Sequence, residues 1–520
     1  MSMHRMAMCI IGLLSALAFL APAALAAAPA ASPYFVIQVV DDQTGRGVPL
    51  VELKTVNHIL YVTDSGGLAA INEPGLMGQT VYFGVKSHGY EFPADGFGFR
   101  GVRLDVKAGG AATVKIKRLN VAERLYRVTG QGIYADTILA GRPAPTAHPV
   151  LNGQVTGQDS VQSVLYRGKI HWFWGDTGRA SYPLGHFGMA GATSDLPGKG
   201  GLDPAVGVNL TYFADKDGFS RPTVHLETKG MWWADGLMTV KDAAGRERLL
   251  ARCGVHKTLS EVLERWLLIY DDTLERFEPL QKMPVDAPLY PNNHPLRHTD
   301  GGVEYFYFPG PYATMRVRAD MESVKDLAAY EGFSPLAPGS RFDKKSPRLD
   351  RDAAGKLVWG WKKGTEPINE MQQNDLIKAG AMKEAEAYFR LKDVETGERV
   401  MLHAGSIAWN EFRRRWVMIA VQQFGKASFL GEVWYTEADR PEGPWRAARR
   451  IVTHDRYSFY NPKHQPFFDQ QGGRIIYFEG TYASTFSRPD DLATPRYDYN
   501  QMMYRLDLGD ERLKAAQETK

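Results

Sequence analysis

Two aspartates bracket a short apolar stretch, one in Gly157-Gln158-Asp159-Ser160 and the other in Gly175-Asp176-Thr177. If the chain folds back at Arg167-Gly168, both lie equally far from the turn, and the register sets Asp159 opposite Asp176. Opposed side chains on paired strands have Cβ atoms roughly 4.5–5.5 Å apart, so two carboxyls would meet at one end of a hairpin. Crowding of this kind raises one pKa unless a cation or a hydrogen-bond network relieves it. One protonated and one ionised carboxyl is the pairing that cleaves a glycosidic bond. The plainer reading is that one Asp caps a turn while the other accepts from backbone amides.

Three further places carry groups of the same kind. Tyr460-Asn461-Pro462-Lys463-His464 precedes a loop at Gln470-Gln471-Gly472-Gly473, and Tyr477-Phe478-Glu479 lies beyond it. Folding there brings Glu479 near Lys463 and His464, which makes it an acid facing Asp159 or, more plainly, half of a salt bridge. Asp235 follows Trp232-Trp233-Ala234 at the start of another hairpin and is a third candidate carboxylate. His294, within Asn292-Asn293-His294-Pro295, and His403 are expected to bind hydroxyls or to move a proton, although a single histidine is more often structural. Trp174, Trp233 and Tyr460 are candidate platforms for sugar rings, and aromatic residues of this type more often pack between sheets. No spaced metal-ligand motif occurs and no cofactor is expected, while a structural divalent cation on a central axis is compatible with the pattern.

What must position these residues is a β framework. Five hairpins recur, with apolar cores at 160–174, 237–253, 296–308, 406–421 and 465–478, each turning at a polar or glycine-containing step. Further strands come after them, most clearly Leu267-Leu268-Ile269-Tyr270 and Val433-Trp434-Tyr435-Thr436. A repeated hairpin plus outer strands is how a propeller is written in sequence. The spacing predicts an all-β chain in which a five-bladed β-propeller spans 150–508, with an insertion at about 338–402. Ring closure makes the first and last blades neighbours, which is what would bring Asp159 and Glu479 to a common funnel. Ahead of it, short strands over 34–118 predict a β-sandwich, with 119–149 as a linker and 509–520 as a polar tail.

Residues 1–26 read as a secretory leader: Arg5, an apolar run from Met8 to Leu20, then Ala24-Leu25-Ala26. A periplasmic or secreted protein is therefore expected, without a lipid anchor because Cys9 lies inside the apolar run. Cleavage would leave Cys253 as the sole cysteine, so no internal disulfide is expected. The net charge of +3, with acids and bases mixed along the chain, gives no basic stripe for nucleic acid. Beyond the leader no apolar run approaches the roughly 20 residues of a membrane span. A monomer with a carbohydrate partner is expected.

The Asp41-Asp42-Gln43-Thr44-Gly45 turn with Pro49 resembles the carboxypeptidase-regulatory-like (transthyretin-like) module, which implies an accessory domain. The region 150–508 resembles the five-bladed propeller glycosidases, which include arabinanases, β-xylosidases and fructan-cleaving enzymes. Its Gly-Gln-Asp opening and Gly-Asp-Thr return are most similar to a set of bacterial propellers, some of them linked to endo-cleavage of D-arabinan. The resemblance implies that Asp159 is the general base and that Asp235 tunes a pKa. The middle-blade glutamate that serves those enzymes as acid has no match here, so Glu479 and Asp176 stand as acids on the reading of the residues alone. Two other readings remain open at this level: a polysaccharide lyase using Tyr460, Lys463, His464 and His294, and a propeller that binds glycan without cleaving it, with Asn461 and Trp233 among the contacts.

Overall fold

The structure, a computed structural model, describes residues 32–488 and 490–517. The leader expected at 1–26 lies outside the described residues. The described chain is all-β in its sheets, with helices confined to short connections. None of those helices is long and apolar enough to cross a membrane.

Two four-stranded sheets come first. One orders Leu68–Ile71, Phe35–Asp41, Ala111–Arg118 and Tyr90–Glu91, and the other Leu60–Val62, Glu52–Thr55, Thr80–Lys86 and Gly101–Asp105. Alternation in Thr80–Lys86 buries Val81, Phe83 and Val85, and these join Ile37, Val39 and Ile116 of the other sheet in one core. This unit is tied to the remainder of the chain through Asp64, whose Oδ2 accepts from the Thr137 amide at 2.6 Å, and Ser65, whose hydroxyl accepts from the Arg127 amide at 3.1 Å.

Five antiparallel meanders succeed it in chain order, each opening with one of the expected hairpins: Gln162–Tyr166 with Lys169–Trp174, Met231–Lys241 with Glu247–His256, Leu296–Asp300 with Val303–Pro309, Leu402–Asn410 with Arg415–Gln422, and Ser458–His464 with Ile475–Ala483. A separate cluster of buried side chains lies between each neighbouring pair of sheets. Phe173 meets Leu249 and Leu268 between the first and second. Leu250 meets Phe306 and Val317 between the second and third. Tyr307 meets Met418 and Trp434 between the third and fourth, and Ile419 meets Phe478 and Tyr504 between the fourth and fifth. Tyr477 and Met503 of the fifth sheet pack on Trp172 and Ala192 of the first, so the order returns to its start. Each such large apolar side chain contributes about 1.5–3 kcal/mol when fully buried.

Three features depart from the sequence reading. The supposed linker contains the strand Glu123–Arg127, which pairs with Asn500–Asp507 and completes the fifth sheet from the front end of the chain. Its charged side chains are buried with partners: Glu123 forms an ion pair with Arg505, and Arg124 donates to the His88 carbonyl at 3.2 Å. The supposed polar tail contains a 3-10 turn, Glu511–Leu513, and a helix, Lys514–Gln517, which bury Leu513 and Ala516. The insertion adds strands to the third and fourth sheets and supplies the helix Glu370–Lys378, whose Asn369 cap accepts from the Gln372 amide at 2.9 Å.

Candidate functional site

A cavity of about 430 Å³ sits where the innermost strands of all five sheets begin. In four of the five sheets the residue at that point takes a left-handed backbone: Ser160 (φ 53°), Gly236 (64°), Asn293 (51°) and Asn461 (49°). They directly follow Asp159, Asp235, Asn292 and Tyr460. A left-handed conformation at a non-glycine residue costs about 1–3 kcal/mol and persists where surrounding contacts impose it. At Gly236 an added Cβ would lie 3.1 Å from the Asn292 amide nitrogen. The ladders of the second, fourth and fifth sheets are also bulged nearby, between Asp235 and Met238, Leu402 and Ala404, and Tyr460 and Lys463. Kinks and bulges break the strict alternation of strand side chains, and Asp159, Asp235, His294, His403 and Tyr460 all line the cavity.

Asp159 and Asp176 meet as their register requires. The ladder pairs Gln162 with Phe173 and Tyr166 with Lys169, and the two aspartates lie beyond its open end. The Asp176 amide donates to Asp159 Oδ1 at 3.0 Å, and the Tyr460 hydroxyl donates to Asp159 Oδ2 at 3.0 Å. A Cβ on Gly175 would come within 2.3 Å of Asp159 Oδ1, so a side chain there would displace the carboxylate. The indole N–H of Trp233 donates to Asp176 Oδ1 at 2.8 Å. Burial, and after it the negative charge of Asp176, pushes the Asp159 carboxyl up to about 6, against the pull of the Tyr460 and Tyr499 hydroxyls. Asp176 is also raised by burial, opposed by Trp233. Asn461 Nδ2 donates to the Ser160 hydroxyl at 2.8 Å, and the Ser160 amide donates to Thr481 Oγ1 at 2.9 Å. These bonds pin the first sheet to the fifth beside the pair.

Also on the cavity wall, Asp235 accepts from Arg252 Nη2 at 2.7 Å, which makes it half of an ion pair. Burial raises its pKa, while Arg252 and a hydrogen bond from the Asn293 backbone pull it down. Trp233 packs on His256, ring centroids 4.6 Å apart. Burial, then the charge of Lys463, holds His294 well below the usual histidine range, so it is neutral. Among the described residues no group of three or more His, Cys, Asp or Glu is arranged to hold a metal ion.

The structure does not bring Glu479, Lys463, His464 or Trp174 to this cavity. Lys463 and Glu479 do pair in register, but Glu479 is wholly buried and its Oε1 accepts from Gln465 Nε2 at 2.7 Å. Lys463 Nζ donates to Gln465 Oε1 at 3.2 Å, and His464 Nε2 lies 2.8 Å from Asp469 Oδ1. The reason is the bulge after Tyr460: Tyr460, not Lys463, holds in the fifth sheet the place that Asp159 holds in the first. The lyase reading thereby loses two of its four residues from the cavity. Trp174 is fully buried and stacks on Trp172, centroids 6.3 Å apart and planes within 5°. Arg252, His256, Phe486 and Tyr499 line the cavity without having been foreseen. They come from second strands and outer loops, and only Tyr499, with its φ of 61°, shares the left-handed signature.

No family model matches the chain, and no curated protein matches it. Among solved structures it is similar to a protein of Bacteroides ovatus at 13% identity, over 68% of this chain and 86% of the other, with a TM-score of 0.40. It is similar to a GH43_1 enzyme of Xanthomonas citri complexed with xylose at 8% identity, over 69% and 88%, with a TM-score of 0.35. A third is an α-L-arabinanase of Cellvibrio cellulosa complexed with arabinohexaose, at 9% identity over 68% and 92%, with a TM-score of 0.35.

Proposed function

We propose that the chain is a glycoside hydrolase whose five meanders are the blades of a β-propeller, preceded by an accessory β-sandwich, and that Asp159 and Asp176 carry the chemistry. The observation that carries this reading is the carboxyl pair at a roomy, aromatic-walled cavity, with Trp233 holding one member and Tyr460 the other. Asp176 loses its proton first, since burial alone raises it and the indole N–H stabilises its anion. Its charge then helps hold the proton on Asp159 up to a pH of about 6. In that state Asp159 is the acid that protonates the leaving oxygen, and Asp176 is the carboxylate that acts from the other side as base or nucleophile. This reverses the role that the family resemblance carries over to Asp159. Asp235 is paired with Arg252, which leaves it to orient sugar hydroxyls beside His294 and Asn461. The leader read in residues 1–26 puts the enzyme outside the cytoplasm, where a plant, algal or bacterial cell-wall polysaccharide is its substrate.

Purified mature protein incubated with a polysaccharide panel tests this. New reducing ends are expected, and Asp159→Asn and Asp176→Asn should each lose roughly 10²–10⁴-fold in rate, the span of general acid–base catalysis. Unsaturated, ultraviolet-absorbing ends would make the protein a lyase. Full turnover in either variant would remove the pair from the chemistry.

A further inference from the structure

A second cavity, of about 390 Å³, opens beside the first, and Asn293 and His403 belong to the walls of both. Its far side is built by the insertion, through Glu366 and the first turn of the helix Glu370–Lys378. A propeller needs none of this segment to close, because the sheets it extends already have their inner strands. Two polar atoms at the new cavity are buried without a partner among the described residues: Glu370 Oε2 and the Tyr312 hydroxyl, on side chains only 7% and 5% exposed. Buried polar groups are rarely left this way unless they meet a ligand or water. Glu370 Oε1 faces Arg399 Nη2 at 3.3 Å, and burial, opposed by Arg399, lifts its carboxyl to about 7. The Glu370 charge acts on the Tyr312 hydroxyl, so the two groups face one region. One offers a hydroxyl donor and the other an acceptor that takes up a proton near neutrality, and Phe389 and Met371 provide apolar surface beside them. That is the chemistry of a neutral sugar residue, which has adjacent hydroxyls on its edges and an apolar face.

Resting on the hydrolase reading above, we infer that the insertion builds a distal sugar-binding site, where Tyr312 and Glu370 grip a residue of the same glycan chain whose cleaved bond lies at Asp159 and Asp176. Asn293 and His403 form the threshold that the chain crosses. A further cavity of about 540 Å³ shares Asp176 and Tyr499 with the central one, so hollows adjoin the central cavity in two places, which suits a polymer better than a lone sugar.

The test uses the full mature chain with soluble linear arabinan, galactan and xylan and their oligosaccharides, measured by affinity electrophoresis and by kcat/KM. Met371→Trp, at a position 51% exposed, fills the cavity without disturbing the core, and Tyr312→Phe removes a hydroxyl that has no partner among the described residues. Each should lower the ratio of kcat/KM for the polysaccharide to that for the shortest cleaved oligosaccharide by about tenfold, the loss of about 1.4 kcal/mol of binding, and weaken retention on the same polysaccharide. A merely structural Tyr312 would shift stability and leave that ratio alone. Variants that match the wild type at every chain length would overturn the distal site while leaving the hydrolase reading intact. A wild type neither retained by nor active on any of the three glycans would overturn both.

Discussion

Replacing Asp159 by Asn should make the protein more stable while it slows turnover by the roughly 10²–10⁴-fold given above, and the gain in stability should depend on pH. The carboxyl rises from 3.8 to about 6 on folding. That rise, about two units at about 1.4 kcal/mol each, is a cost of about 3 kcal/mol for keeping the charge in the folded state. Between those two values the native protein binds more protons than the unfolded chain, so stability falls as pH rises through the window, and the full cost is present above it. Asn carries no charge and escapes the cost, although its amide must still be matched to the Asp176 N–H and the Tyr460 hydroxyl, so about 3 kcal/mol is the ceiling. Chemical denaturation of wild type and variant at pH 4 and pH 7.5 reads the effect: little difference at the lower pH, and an advantage of about 1–3 kcal/mol for the variant at the higher. A difference independent of pH, or a variant less stable at pH 7.5, would refute the claim that Asp159 bears an uncompensated charge beside Asp176.

Tyr460→Phe removes one donor from the Asp159 anion, and a hydrogen bond to a charged group is worth about 1.5–3 kcal/mol. The alkaline limb of the kcat/KM profile, set by loss of the Asp159 proton near pH 6, should therefore move upward by about one unit or more, and a limb that stays put would count against Asp159 as the acid. Gly175→Ala forces a Cβ against Asp159 Oδ1, at 2.3 Å in the present geometry; hydrolysis should fall at least about a hundredfold, as expected for a misplaced reacting group, while far-ultraviolet circular dichroism is unchanged. Glu479→Gln should keep turnover within a few-fold of wild type, because Glu479 lies outside the cavity, and a loss beyond about tenfold in folded protein would return it to the chemistry.

The inner hairpins were legible because two local rules agree in them. Apolar residues crowd their strands, and their turns hold residues that tolerate a left-handed backbone, as at Arg167-Gly168 and Gly301-Gly302, all four with positive φ. The same symmetry about Arg167-Gly168 carried the register outward from the Gln162–Phe173 pair to Asp159 and Asp176. Glu123–Arg127 was not legible. Three of its five residues are charged, and what buries them is a partner such as Arg505, hundreds of residues away, which no local pattern reports.

Glu479 failed for a different reason, and that reason explains where the site lies. Period-two alternation assigns a face to every residue of a strand only until a bulge or a left-handed residue resets the count. In this chain the resets fall just before the innermost strands or within them, and there the chemical side chains converge. Extrapolating from the turn at 470–473 therefore paired Glu479 with Lys463 correctly, but both lie on the turn side of the bulge between Tyr460 and Lys463, short of the residues that reach the cavity. The usable signal was the pair of residues at each reset: Asp159-Ser160, Asp235-Gly236, Asn292-Asn293 and Tyr460-Asn461. In each, a group able to hydrogen-bond precedes a residue with positive φ. Glycine and asparagine adopt that backbone most readily, so three of the four pairs announce the kink by composition. Ser160 does not, and it is held there by Thr481 and Asn461 of the fifth sheet. The kink that fixes Asp159 is thus held from the fifth sheet, so disrupting the contact between the first and fifth sheets should cost activity before it costs the fold.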